Sequence, residues 1–173
     1  ITLTANFDGD VNSTALAAAQ GATAISSNLA NLLASNAAAT QAGNVSVAAA
    51  VAYADVLNRN RAYIGSTGAI VSTGAINIAA ANSLRVPTVA DGTSVNNPVG
   101  VGVGVAINAV DSLNEAYLTG AVNLTAPSVT LAVSQFGGIA SAFSTTATAG
   151  AGATNVGVAG SVSINRSTNK SEA

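Results

Sequence analysis

The stretch that decides the fold is residues 98–120, which reads PVGVGVGVAINAVDSLNEAYLTG. Branched apolar residues stand at every second position from Val99 to Ile107, and glycine or alanine fills the positions between them. Such strict alternation is typical of a β-strand, because successive side chains of a strand point to opposite faces. The strand therefore has one branched apolar face and one face of very small residues.

The same pattern occurs three times in the chain. The two further copies are NVSVAAAVAYADVLNRNRAYIG (residues 44–65) and NVGVAGSVSINRSTNKSEA (residues 155–173). Tyr53 aligns with Ile107 at a spacing of 54 residues, and Ile107 aligns with Ile164 at a spacing of 57. A second block recurs in the same order at residues 1–5, 76–80 and 129–133. Self-similarity near 55 residues indicates a repeat protein, here a single segment with repeats at 1–75, 76–128 and 129–173.

These patterns predict an all-β fold, a parallel β-helix or β-solenoid. Side chains this small cannot fill a thick core at normal packing density, but they fill a thin one between two close sheets. The glycines at 100, 102 and 104 are expected to mark such a close approach of backbones. The alternation is compatible with either face pointing inward. Lateral packing of neighbouring walls through the small residues requires that face to point outward.

Within each repeat, a charged turn is predicted after the alternating strand. A short Ala-Tyr strand follows the turn and ends at Gly65 in the first repeat and at Gly120 in the second. One or two further short strands complete the repeat. Each repeat is therefore expected to wind through two or three rungs of the solenoid.

The first repeat carries an Ala-rich insertion within residues 13–39. Its apolar residues Ile25, Leu29, Leu32 and Leu33 fall at i, i+4, i+7 and i+8, a helical spacing. We predict a short helix there, either covering a face or an end of the solenoid or docking another chain.

Composition excludes several classes of function. The chain has no His and no Cys, which rules out His- or Cys-based zinc, haem and iron–sulfur sites and Ser-His-Asp or Cys-His catalysis. Five basic residues against seven acidic ones do not supply the positive field that nucleic-acid binding needs. No apolar run reaches the length of about 18 residues needed to span a bilayer.

Most of the charges fall in the predicted turns before the Ala-Tyr strands. In a stacked solenoid, equivalent turns lie along one edge, so these residues are expected to form a ridge of mixed sign. The ridge is interpreted either as a solvated edge that keeps the protein soluble or as a binding surface. Its residues are Asp55, Arg59, Arg61, Asp111, Glu115, Arg166, Lys170 and Glu172.

The segment NFDGDVNS at residues 6–13 is a candidate calcium loop. Asp8, Asp10 and Asn12 place oxygen ligands at alternate positions and would converge on the ion if the chain turned at Gly9. The alternative is a plain Asp-Gly turn, as at Asp91-Gly92. No other cofactor is expected.

The string VGVGVAINAVDSLNEAYLTGAVNLTAPSVTLAVSQ (residues 101–135) resembles repeats of very large bacterial surface proteins, the leukotoxin-like and hemagglutinin-type filamentous adhesins. The matching residues are 101–108, 116–120 and 129–131, with echoes at 62–65 and 156–165. The resemblance implies a parallel β-helix, export to the cell surface and an adhesive or scaffolding role. It supplies no catalytic residues, and the insertion at 13–39 departs from it.

The leading interpretation is therefore a non-enzymatic, extracellular β-solenoid segment at a bacterial cell surface. It is either part of a giant adhesin or a subunit that stacks into a filament. Expected partners are other repeats or chains, through end-to-end or lateral contacts, and a host surface or glycan. Two alternatives are a carbohydrate-active β-helix enzyme, which needs paired carboxylates, and an ice-binding solenoid, which needs Thr-x-Thr ladders in register.

Overall fold

The computed structural model describes residues 1–18, 37–42, 44–65 and 67–173, and these residues form a parallel β-solenoid. The one short 3-10 turn in this part of the chain spans Phe136–Gly138. The strands are β1 (Thr2–Asp10), β2 (Ser13–Ala18), β3 (Ala37–Ala42), β4 (Val45–Gly65), β5 (Ala69–Val71), β6 (Ile76–Thr119), β7 (Asn123–Thr125), β8 (Val129–Ser134) and β9 (Ala142–Glu172).

Each repeat makes one full coil of the solenoid. β4 pairs in parallel with β6, which places Tyr53 beside Ile107, and β6 pairs in parallel with β9, which places Ile107 beside Ile164. Residues aligned in the sequence are thus direct neighbours in the sheet. The expectation of two or three rungs per repeat was wrong, because one coil uses the whole repeat in long, nearly continuous strands.

Each coil is flattened into two facing walls. Wall A comprises β1, β2, residues 76–94 of β6, β8 and residues 142–150 of β9; wall B comprises β4, residues 99–119 of β6 and residues 156–172 of β9. Asn108 and Asn114 of wall B reach across and donate to the carbonyl oxygens of Val86 and Ala80 in wall A, at 2.9 and 3.1 Å. A direct hydrogen bond from side chain to opposite backbone shows how close the walls are.

We call the narrow space between the two walls the slot. Glycines lie where the walls are closest. A Cβ on Gly92 would collide with the carbonyl of Val103 in the opposite wall, and a Cβ on Gly104 would collide with the carbonyl of Thr148. Of the glycines at 100, 102 and 104 that were expected to mark a close approach of backbones, Gly102 and Gly104 do so, and Gly100 faces the side chain of Ser94. The walls therefore meet backbone to backbone where neither side chain has room.

The face of small residues points inward in the narrow part of the slot. Ala48, Ala50 and Ala106 are fully buried there, whereas Val51, the residue after Ala50, is 58% exposed. Lateral packing through the small-residue faces was therefore a wrong expectation, since those faces are already buried against each other within one molecule. The branched face points outward because the narrow slot has no volume for it.

The slot widens toward its other end, where larger side chains fill it. Ile76 and Ile78 are fully buried, and Ile64 of wall B packs with them. β5 and β7 pair in parallel as a short third sheet over this end, and Ile70 and Leu124 pack against the same cluster. Here the interior is a conventional aliphatic core.

The predicted charged turn is absent from wall B. β4 runs without interruption from Val45 to Gly65, and its burial alternates throughout. Asn58 and Asn60, within the predicted turn, point inward and are buried, while Arg59 between them and Arg61 after them point outward. The turn prediction was wrong because these asparagines bond to the opposite wall instead of to their own backbone. Gly120, with φ of 89°, follows the end of β6, as predicted.

Two further expectations about wall A need correction. Gly9 lies inside β1 beside Leu84, and Gly92 lies inside β6, so neither Asp-Gly pair is a turn. Pairing with the next coil holds both backbones extended.

The predicted helical insertion is also partly overturned. Residues 13–18 form β2, which pairs in parallel with β6 from Thr88 to Thr93, and Ala15 and Ala17 fill the slot. Residues 37–42 form β3, which runs antiparallel along the first six residues of β4. The helical stripe Ile25, Leu29, Leu32 and Leu33 lies outside the described residues.

Candidate functional site

The outward face of wall B carries aligned rows of apolar side chains, aliphatic except for Tyr53, which we call the outer aliphatic columns. They face outward because their small neighbours in the sequence occupy the slot. Tyr53 is 56% exposed and Val162 is 50% exposed, although both are large apolar residues. The columns are Val45-Val99-Val156, Val47-Val101-Val158, Val51-Val105-Val162 and Tyr53-Ile107-Ile164.

The outer aliphatic columns form one flat patch. Three strands about 4.8 Å apart, each contributing nine residues at about 3.3 Å, cover about 400 Å². A single exposed apolar residue needs no explanation, but a contiguous apolar patch of this size is comparable to the largest patch on a typical soluble monomer, and such patches are often functional. Further along the same face, past the charged residues at 55, 59 and 61, Tyr63 stacks on Tyr117 with ring centroids 5.2 Å apart.

All eight residues of the predicted charged ridge lie on the same outward face of wall B, beyond the aliphatic columns. They stand at the alternate strand positions whose side chains point outward. Their formal charges sum to zero. Aligned residues of the three coils are neighbours in the sheet. Arg61 of the first coil lies beside Glu115 of the second, and Glu115 lies beside Glu172 of the third. The ridge is therefore an extended strand surface and not a row of turns.

Two ion pairs join the first coil to the second along the ridge. Arg59 donates to both carboxylate oxygens of Asp111, at 3.2 and 3.0 Å, and Arg61 Nε lies 2.6 Å from a carboxylate oxygen of Glu115. These pairs fix the register of neighbouring coils, because a slip of one residue would move each charge to the other face.

Arg59 also sets the ionisation of its partner. Its hydrogen bond to Asp111 holds the pKa of that carboxyl below the ordinary value, and the positive charges of Lys170 and Arg166 act in the same direction. The same hydrogen bond raises the pKa of Arg59. Asp111 stays ionised at any pH at which the protein would normally be handled.

A shallow groove crosses the ridge between the coils. Its lining includes the carboxylates of Asp55 and Asp111 and the guanidinium of Arg166. Asp55 accepts a hydrogen bond of 3.3 Å from the hydroxyl of Tyr53, which links the groove to the aliphatic columns. Both charge signs are present, so the groove suits a polar ligand better than an ion of one sign.

The candidate calcium residues lie on wall A, whereas the aliphatic columns and the ridge lie on wall B. Arg85 Nε donates to Asp10 at 2.6 Å, and the same guanidinium contacts Asp8 at 3.1 Å. This contact lowers the pKa of Asp10. Asn12 lies between β1 and β2 and is exposed. A calcium ion would have to displace the Arg85 guanidinium, and calcium binding stays a prediction. Among the described residues, no three His, Cys, Asp or Glu side chains are placed to hold a metal together.

Sequence reasoning missed the buried asparagines that connect the coils. Asn60 donates to the carbonyl of Ala5 in its own coil and to that of Ala81 in the next, at 3.1 and 2.9 Å. Asn114 is the aligned residue one coil further on, and it repeats the arrangement with Ala80 and Ser134 at 3.1 Å each. The signal was present in the sequence, because both asparagines align and share the inward phase.

Comparison with models of protein families, with curated proteins and with solved structures returned no match to this chain. In the part of the chain that the structure describes, no helix is both long enough and apolar enough to cross a membrane.

Proposed function

We propose that this chain is a structural and adhesive β-solenoid segment of an extracellular bacterial surface protein. It is either a stretch of a giant adhesin or a subunit of a surface filament. The observation that carries the proposal is the set of outer aliphatic columns, which repeats the same apolar residues outward in every coil. A surface of this kind binds other apolar surfaces and grows in area with every coil added.

The interior supports a structural role. Backbone hydrogen bonds run between coils along almost the full length of β4, β6 and β9. The asparagine bridges at Asn60 and Asn114 tie each coil to the next through buried side chains. Such a stack is stiff along its axis, since each added coil extends it by about 4.8 Å without any hinge.

The charged ridge supports selectivity beside the apolar patch. Its eight charges sum to zero, so it attracts neither polyanions nor polycations as a whole. Local alternation of sign lets it hydrogen-bond polar groups, such as glycan hydroxyls, at the edge of an apolar contact. We propose that the aliphatic columns supply the affinity for an apolar surface and that the ridge gives a preference for surfaces that also carry polar groups.

The proposal is tested by adsorption to two surfaces that differ only in polarity, an alkyl-terminated and a hydroxyl-terminated monolayer. Replacing one column by threonine (Val51→Thr, Val105→Thr and Val162→Thr together) keeps β-branched side chains but removes apolar area. Adsorption to the alkyl surface should fall at least about tenfold, which corresponds to about 1.4 kcal/mol.

The matched control is Val89→Thr, the same chemical change on the outward side of wall A. It should leave adsorption unchanged, because Val89 lies between Thr14 and Thr146 in a polar column. Equal adsorption of the wild type and the column variant would contradict the proposal, as would an equal loss in the control.

A further inference from the structure

The groove that crosses the ridge has a single small residue as its floor. Ala109 stands at an outward position of β6, between the larger outward residues Ile107 and Asp111. Its neighbours in the sheet are Asp55 of β4 on one side and Arg166 of β9 on the other. The short side chain of Ala109 leaves a space of about 200 Å³ between these two longer side chains. The floor and both rims therefore come from three adjacent strands of this chain.

The two rims of the groove carry opposite charges. Among the described residues, Asp55 and Arg166 are both exposed, and neither takes part in an ion pair. The hydroxyl of Tyr53 donates to the Oδ2 atom of Asp55 at 3.3 Å, which leaves the Oδ1 atom open to a ligand. The groove thus presents one negative and one positive group on opposite sides of its floor.

The second carboxylate of the groove is already compensated. Asp111 accepts two hydrogen bonds from Arg59, at 3.2 and 3.0 Å. These hydrogen bonds lower the pKa of Asp111, and the charges of Lys170 and Arg166 lower it further. Because the charge of Asp111 is balanced within the protein, Asp55 is the carboxylate that is left to receive a cation from outside.

The spacing of the strands sets the size of a matching ligand. Asp55 and Arg166 lie two strand spacings apart, so their backbones are separated by about 10 Å. Charge-assisted contacts of about 3 Å at each end leave about 4 Å between the two charges of a ligand that spans the groove. γ-Aminobutyrate and phosphoethanolamine have a charge separation of this order, whereas glycine is too short to reach both rims.

We propose that the groove over Ala109 binds a small zwitterion, with the ligand's ammonium group on Asp55 and its carboxylate or phosphate group on Arg166. The inference rests on the proposed function, because it names the polar group that the ridge prefers. A ridge whose charges sum to zero suits a ligand without net charge. Two sources share this chemistry, a free short-chain amino acid and the headgroup of an ethanolamine phospholipid.

The position of the groove beside the aliphatic columns supports the second role of such a ligand. The column Tyr53-Ile107-Ile164 comes immediately before Asp55, Ala109 and Arg166 on the outward face of the same three strands. A zwitterionic group attached to an apolar molecule or surface would therefore contact the groove and the columns together.

The test is an NMR titration of the isotope-labelled chain with soluble probes, followed at the amide signals of Ala109 and its neighbours. γ-Aminobutyrate and phosphoethanolamine should bind. Glycine, butylamine and butyrate should each bind at least about threefold more weakly, because each loses one ionic contact at an exposed site. Equal affinity for γ-aminobutyrate and for either singly charged probe would overturn the inference.

Variants separate the two rims from the floor. Asp55→Asn and Arg166→Gln should each weaken γ-aminobutyrate binding at least about threefold. Ala109→Leu should abolish binding by filling the floor, although both charges remain. Asp91→Asn makes the same chemical change on wall A and is the matched control, which should bind like the wild type. Unchanged binding in Asp55→Asn, or an equal loss in Asp91→Asn, would contradict the assignment.

An exchange of the two charges keeps the test decisive even if Ala109→Leu does not fold. Arg166→Asp alone should suppress binding of γ-aminobutyrate. Asp55→Arg combined with Arg166→Asp should restore it, because a zwitterion can bind in the reverse direction. A folded double variant that does not recover binding would overturn the inference.

Vesicle flotation identifies the source of the ligand. Binding to phosphatidylethanolamine vesicles that falls in Asp55→Asn supports the lipid headgroup, whereas γ-aminobutyrate binding without such flotation supports a free amino acid. Adsorption to the alkyl surface is measured on the same variants and should not change in Asp55→Asn. A failure of zwitterion binding is therefore distinguishable from a failure of the proposed function.

Discussion

Gly92 and Val103 face each other across the slot so closely that a Cβ on Gly92 would collide with the carbonyl oxygen of Val103. The two walls of the solenoid thus touch through their backbones. This contact explains the richness of the chain in very small residues, since glycine and alanine fill the inward side where the walls are closest. It also explains why the branched residues are exposed, and hence why the molecule has an apolar outer surface.

The close approach predicts a sharp difference between two glycine substitutions. Gly104→Ala should lower the free energy of unfolding by about 3 kcal/mol or more, because the new methyl group meets the Thr148 backbone, which cannot move away alone. Gly160→Ala, on the outward face with no atom nearby, should leave it unchanged or raise it by about 0.5 kcal/mol. Denaturant unfolding measures both, and equal effects would show that the walls do not meet at Gly104.

The buried asparagine bridges predict a second difference. Asn114→Ala removes the donor to Ala80 and Ser134 and leaves both carbonyls without it, at a cost of about 3 kcal/mol. Asn165→Ala, on the exposed third coil with a single acceptor, should cost less than about 1 kcal/mol. Thermal unfolding followed by circular dichroism distinguishes the two, and a larger loss for Asn165→Ala would contradict the bridging role.

The Arg59–Asp111 pair predicts a dependence of stability on acid. The pKa of Asp111 is held below its ordinary value of 3.8 in the folded chain, so the folded state binds this proton less readily than the unfolded state. The resulting stability is present above pH 3.8 and is lost as the pH falls through the lower folded pKa. Asp111→Asn should flatten this acid limb of the curve of unfolding free energy against pH.

Arg59→Gln provides the control for the pH experiment. It removes the hydrogen bond that is the largest cause of the lowered pKa of Asp111, so it should flatten the same acid limb. Combining Arg59→Gln with Asp111→Asn should flatten that limb no further than Asp111→Asn alone. High salt should weaken the effect, because both groups are exposed to solvent. An unchanged acid limb in Asp111→Asn would show that other carboxyls carry the dependence.

The fold class and the alignment of the repeats could be predicted from the sequence because they depend on period and spacing, whereas the single coil per repeat was not predicted. The alternation between Val99 and Ile107 specifies a strand, and the spacings from Tyr53 to Ile107 and Ile164 are the spacings of hydrogen-bonded neighbours. The direction of the faces could not be predicted in this way. It depends on the distance between the walls, which becomes apparent only when Gly104 meets Thr148 from a different coil.

The candidate surface was predicted in part for the same reason. The alignment of the repeats brought the ridge residues next to one another, as Arg61 and Glu115 illustrate, but they lie on a strand face and not in turns along an edge. The segment that holds Asn58 and Asn60 was predicted to be a charged turn, and asparagine does favour turns when it bonds its own backbone. Their partners here, Asn82 and Ala81, lie more than 20 residues away, beyond any local pattern.

The inward direction of the small-residue face is the central claim, and the labelling of single cysteines tests it most directly. Ser46 is fully buried and Val51 is 58% exposed, although they lie on the same strand five residues apart. Under native conditions, a maleimide should label Val51→Cys rapidly and Ser46→Cys only after unfolding. Rapid native labelling of Ser46→Cys with protection of Val51→Cys would show that the faces are reversed and would contradict the account.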